Sequence, residues 1–193
     1  MIWYTIFMNL MHFFSIFIFI LFIHKPIFAN PLPLVQEDAS IRFEIEHIGR
    51  FKVEGLFSEF DANLTLTNNQ LVQSKLEGTI YVNSINTLNK RRDKHLNSDD
   101  FFDSDQFPTI DFSGTLHQDD KGQFFWDGDV TIKDIQNKIA VPLTVSSSSA
   151  LETDSFIQLN GTFILSRFDY GITKHRLMID EYVTIDVDGK FEI

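Results

Sequence analysis

Residues 84–112 read SINTLNKRRDKHLNSDDFFDSDQFPTIDF, and this stretch decides how the rest of the chain is read. The run Lys90-Arg91-Arg92-Asp93-Lys94-His95 is followed by adjacent Phe101 and Phe102 and then by Phe107-Pro108. A polar segment with aromatics behind it is what the mouth of an apolar cavity needs. Residues 87–97 form the best helix candidate, with Asn86 or Thr87 as cap. Arg92 and Leu96 are four apart, and Leu88 lies on the same side, so this face is expected to meet the interior. Consecutive phenylalanines cannot both point inward from one strand, so Phe101-Phe102 belongs to a turn. One aromatic of each group is expected to plug the core and the other to line an entrance. The whole insertion spans roughly residues 87–105.

On both sides of it the chain alternates with period two, the mark of half-buried strands. Upstream, Ile41, Phe43, Ile45 and His47 share one face, and Phe51, Val53, Gly55 and Phe57 continue it. The pattern then moves to even numbers at Phe60, Ala62, Leu64 and Leu66, which predicts a bulge near Ser58-Glu59 inside one long strand. Asn68-Asn69 reads as a turn, and Leu76, Gly78, Ile80 and Val82 form the next row. Downstream the rows begin at Ile110-x-Phe112, Phe124-x-Trp126, Ile139-x-Val141, Leu159 to Leu165 through Phe163, and Val183-x-Ile185. The expectation is an all-β domain of eight antiparallel strands, a barrel or a sandwich.

Six of the nine glycines fall on inward rows: Gly55, Gly78, Gly114, Gly128, Gly161 and Gly189. They either let the strands coil sharply or keep the interior vacant for a ligand. Glycine alternating with large apolar side chains favours a cavity. Its expected ligand-binding lining is Phe43, Ile45, Phe57, Ile80, Val82, Ile110, Phe112, Phe163 and Leu165. Arg92, His95, Phe101, Phe102 and Phe107 are expected at the mouth.

Residues 13–23 are apolar apart from Ser15, and a break at His24-Lys25-Pro26 precedes Ala29. Eleven residues are too few to span a bilayer as a helix and suit a signal-peptide core, although no Lys or Arg precedes them. Residues 1–29 are therefore expected to be a signal peptide cleaved near Ala29, with an uncleaved anchor as the alternative. Residues 30–39, with Pro31 and Pro33, read as a tether, and 40–193 as one domain. Lys25 is the only charged leader side chain, so residues 30–193 keep 15 basic residues against 27 acids, a net charge of −12. Such a surface does not seek nucleic acid or a bare anionic membrane. The absence of cysteine excludes both a disulfide scaffold and an anchor through a lipidated Cys.

Catalysis finds little support. Asp93 and His95 are two apart on a helix and do not face each other, and no Gly-x-Ser-x-Gly is present. Arg92 and His95 are expected to form a structural network with Asp93, Asp99, Asp103 or Asp169. Beyond the leader, His47, His95, His117 and His175 show no pair at helical ligand spacing, so no metal site is expected.

The chain resembles the YceI-like family. His47-Ile48-Gly49 with Val53-Glu54-Gly55-Leu56-Phe57 matches the family's opening. Ser84-Ile85-Asn86-Thr87, Arg92-Asp93-Lys94-His95-Leu96, Phe101-Phe102-Asp103 and Pro108-Thr109-Ile110-Asp111-Phe112 follow its central pattern. Arg167-Phe168-Asp169-Tyr170-Gly171-Ile172 follows a late one. The chain departs at Asp134, where the family usually has Gly, and at Gln136-Asn137, where it has Thr-Lys, so the turn there is in question. The resemblance implies an eight-stranded, lipocalin-like antiparallel barrel, periplasmic or secreted. It implies a pore that takes an isoprenoid lipid, the chain of an isoprenoid quinone or polyprenyl phosphate, with no other cofactor. Membrane contact would be transient, and exposed sheet edges would allow a homodimer. Two other readings stand beside this one: an enzyme acting on a bound lipid or amide through Arg92, Asp93 and His95, and a ligand-free stress or structural protein.

Overall fold

The structure, a computed structural model, describes residues 30–47, 49, 51–147 and 155–193. The expected leader, residues 1–29, lies outside them. The strands are β1 (Leu32–Pro33), β2 (Ser40–His47), β3 (Phe51–Phe57), β4 (Phe60–Thr67), β5 (Gln70–Tyr81) and β6 (Ile85–Asn86). After helix α1 (Lys90–Leu96) come β7 (Thr109–Gln118), β8 (Phe124–Ile132), β9 (Ile135–Ser147), β10 (Phe156–Ser166) and β11 (Ile179–Glu192). All eleven form one sheet in the order β1-β4-β5-β7-β8-β9-β10-β11-β2-β3-β6.

That order dictates closure. β3 lies near one end of the sheet and β4 near the other, yet only Ser58 and Glu59 separate them. Three Cα–Cα steps span at most about 11 Å, so the sheet must curl until its ends meet. The Ser58 amide donates to the Ser84 carbonyl (3.3 Å) and the Tyr81 amide to the Glu59 carbonyl (3.0 Å), sealing the junction. The result is a lipocalin-like antiparallel barrel. It has eleven strands rather than eight because β1 and β6 are two-residue additions and because the expected bulge is a full break. A strand that pairs with β2 through its first half and β5 through its second cannot remain straight.

Tight turns carry the chain between neighbours. Asn68 and Asn69 (φ 52° and 58°) join β4 to β5, as expected for a two-residue hairpin with both centres left-handed. Lys133 and Asp134 (φ 52° and 60°) join β8 to β9 in the same way, which settles the turn in question.

The inward glycines are covered rather than vacant. A Cβ on Gly55 would collide with the Phe43 ring, one on Gly78 with Phe112 and the Asp61 carbonyl, and one on Gly128 with Trp126. The glycines seat aromatic rings flat against the wall. The stretch expected as a tether lies on the barrel: β1 pairs with β4, Leu34 bridges to Phe191, and the Val35 amide donates to the Lys190 carbonyl (2.8 Å).

The core falls into two clusters along the barrel. One gathers around Leu64, Leu116, Trp126, Leu159 and Phe191. The other, around Phe57, Ile85, Phe101, Ile110, Tyr170 and Ile172, lies toward α1.

A two-chambered apolar cavity and its mouth

Two cavities share the barrel interior. The inner one, about 180 Å³, is walled by side chains such as Leu34, Ile80, Phe112, Trp126, Leu159 and Phe163, and Asp188 is the one charged residue on its wall. The outer one, about 430 Å³, is walled by Phe43, Ile45, Val53, Phe101, Phe102 and Ile179 among others. Phe57, Ile110, Ile132, Leu165 and Ile185 line both and form the ring between them. Apart from Asp188, the charged and histidine side chains are on the wall of the outer chamber, where Glu46, His47, Arg92, His95, Arg167 and His175 contribute. An apolar interior with few polar groups at one end is the usual form of a small-molecule site.

Among the expected lining residues, Phe43, Ile45, Arg92, His95, Phe101 and Phe102 face the outer chamber. Ile80, Phe112 and Phe163 face the inner one, and Phe57, Ile110 and Leu165 face both. Val82 and Phe107 line neither chamber. Val82 opens a 3₁₀ turn after β5 and is buried in the core, because the strand ends before its row reaches that position. Phe107 is held in the turn by its amide, which donates to the Asp103 carbonyl (2.8 Å).

The mouth is built by α1 and the turn after it. The helix starts at Lys90 with Asn89 as cap, later than expected, because Asn86 and Thr87 are otherwise engaged. The Asn89 side chain accepts from the amides of Arg91 and Arg92 (both 3.1 Å). Asn86 Oδ1 accepts from the Leu88 amide. The Thr87 amide and hydroxyl donate to Asp93 Oδ1, and Thr87 in turn accepts from Arg92 at Oγ1 (2.8 Å) and at its carbonyl (2.7 Å). Leu88 adopts φ 59° and points to solvent instead of the interior. Arg92 is thus oriented by Thr87, not by a carboxylate.

His95 takes Asp100, a partner outside the expected set. Its Nε2 lies 3.1 Å from Asp100 Oδ2, while Lys174 Nζ donates to Asp100 Oδ1 (2.6 Å). The hydrogen bonds from Lys174 and then His95 hold the Asp100 carboxyl below its ordinary value, and Asp100 holds Lys174 above its own. The His95 ring packs edge-on against Phe101 (5.0 Å between centroids) and against His175 (5.7 Å).

The opposite rim hangs on Arg167, which is 4% exposed. Its guanidinium donates to four carbonyls: Asp180 (2.7 Å), Ile172 (2.6 Å), Lys174 (2.9 Å) and Ile179 (3.0 Å). Burial pulls its pKa down and nearby Asp180 and Glu181 push it back, while burial pushes the Tyr170 phenol up. The periodicity passes over this rim because residues 167–178 are not strand. Only the late Arg-x-Asp-Tyr-Gly-Ile pattern signals it.

The YceI-like domain pattern matches residues 33–191. A UPF0312 protein of Staphylococcus aureus (strain N315) is 33% identical over 157 residues, covering 80% of this chain and 89% of that protein. The crystal structure of Burkholderia cenocepacia BcnA superposes with a TM-score of 0.72 at 18% identity, covering 81% of this chain and 98% of that one. A polyisoprenoid binding domain from Saccharophagus degradans, implicated in plant cell wall breakdown, gives 0.65 at 13% identity, covering 87% and 99%. At such identities the solved structures speak for the fold. With the match running nearly the full length of the barrel, the chain belongs to the YceI-like family.

Proposed function

We propose that the chain binds an isoprenoid lipid, with its tail in the inner chamber and its head in the outer one, and carries or buffers it. The observation that carries this reading is a pair of predominantly apolar chambers in the barrel interior that share the wall residues Phe57, Ile110, Ile132, Leu165 and Ile185. Each buried CH₂ contributes about 0.8 kcal/mol, so a tail is held without specific polar contacts. The polyisoprenoid binding of the Saccharophagus degradans domain supports the same reading. The head is neutral and quinone-like. Lys90, Arg91 and Lys94 are exposed, and Arg167 is saturated by carbonyls, so Arg92 is left as the cation able to meet a head group. A leader at residues 1–29 would deliver the carrier to the periplasm or beyond.

A catalytic role through Arg92, Asp93 and His95 has less support. Arg92 and Asp93 are both tied to Thr87, and Asp93 lines neither chamber.

Trp126 lines the inner chamber and is the sole tryptophan after residue 29, so its emission reports on that chamber. Titration with a long-chain prenylquinone is expected to quench it saturably. A tail-less quinone is expected to have little effect. Equal quenching by both, or none by either, contradicts the proposal. Competition with a polyprenyl phosphate tests the head group, and displacement by the phosphate at lower concentration contradicts a neutral head.

A further inference from the structure

His95 and His175 lie 80 positions apart in the sequence and meet at the mouth of the outer chamber. With Asp100 they form a cluster whose donor atoms all fall within 4.8 Å of one another. We propose that His95, Asp100 and His175 form a binding site for a divalent transition metal, with zinc as the representative ion.

The donor chemistry fits. Two imidazoles and one carboxylate suit Zn²⁺, Cu²⁺ or Ni²⁺, and an all-oxygen set would be needed for Ca²⁺ or Mg²⁺. Zinc bonds of about 2.0–2.2 Å place tetrahedral donors roughly 3.3 Å apart. His95 Nε2 and Asp100 Oδ2 already stand at 3.1 Å. His175, whose donor falls within the same 4.8 Å, is exposed. No hydrogen bond to the His175 ring is found among the described residues, and its contacts are with the rings of His95 and Phe101. Its nitrogens are therefore not committed elsewhere.

The surroundings orient the other two donors. Phe101 packs edge-on against the His95 ring, and Lys174 fixes Asp100 through Oδ1, leaving Oδ2 turned to His95. Outer groups of this kind commonly aim metal ligands. Three protein ligands leave a fourth position open, as in reactive rather than purely structural zinc sites. Both histidines line the outer chamber, while Asp100 and His175 also line a surface groove beside it, so the site sits at the edge of the mouth. The site stands independently of what fills the chamber.

The test is titration of the purified, folded protein with Co²⁺, read by its visible absorption, and with Zn²⁺ by calorimetry. One equivalent is expected to bind with the bands of a low-coordinate cobalt site. His95→Ala, His175→Ala and Asp100→Asn are each expected to weaken binding by more than about tenfold, since loss of an outer-sphere partner alone costs that much. His117→Ala, beside Asp127 on another part of the barrel, is expected to change nothing. Circular dichroism confirms that each variant is folded. Retention of one tight equivalent by the His95→Ala/His175→Ala double variant overturns the proposal. So does absence of stoichiometric binding in the parent protein.

Discussion

Gly114 and Gly128 face each other across β7 and β8, and a Cβ on Gly114 would press on the Asp127 carbonyl and on the Gly128 Cα. Backbone cannot yield as a flexible side chain can. Gly114→Ala is therefore expected to cost about 1–3 kcal/mol, the usual penalty of overpacking, measured by urea unfolding. The inward position of these glycines was legible from period-two alternation. The rings lying over them were not, because periodicity assigns a face and says nothing of what crosses it. Leu165, on the ring between the chambers, offers a functional counterpart. Leu165→Phe narrows the passage to the inner chamber. It is expected to weaken a long-tailed prenylquinone by more than about tenfold, equivalent to two buried methylenes, and to spare a short-tailed one. Trp126 quenching checks both.

Among the elements, the rim segment after β10 depends most on a single side chain. Arg167→Met leaves four carbonyls without their donor and is expected to cost at least about 2 kcal/mol. Faster amide exchange across residues 171–179 would accompany it. Arg167→Lys is not expected to restore stability, because an ammonium cannot reach the same fan of acceptors. The β8–β9 turn makes the opposite case. Asp134 sits at φ 60°, where glycine carries no steric cost, so Asp134→Gly is expected to raise stability by about 0.5–1 kcal/mol in urea unfolding. The strands and turns were readable because each is specified by neighbours in sequence. The start of α1 was not. Asn86, Thr87 and Asn89 can all cap a helix. The choice falls to Asn89 because Asp93 and Arg92 claim Thr87.

At the scale of the whole molecule, the chain closes a barrel by sending one interrupted strand across the seam. Residues 57–60 thereby fix both the closure and the position of the chamber ring. Alternation foretold the strands and an apolar interior, but closure depends on pairing between β2 and β11, which no local pattern records. The mouth shows the same limit. His95 was expected there, while Asp100, Lys174 and His175 come to it only through the fold. The central claim is that the interior holds an isoprenoid lipid. It is tested most directly by mass spectrometry of an organic extract of the protein, purified without detergent from the cells that make it. The account predicts one isoprenoid quinone in near-stoichiometric amount. A protein that yields no lipid and takes up none when challenged with prenylquinone or polyprenyl phosphate would contradict it.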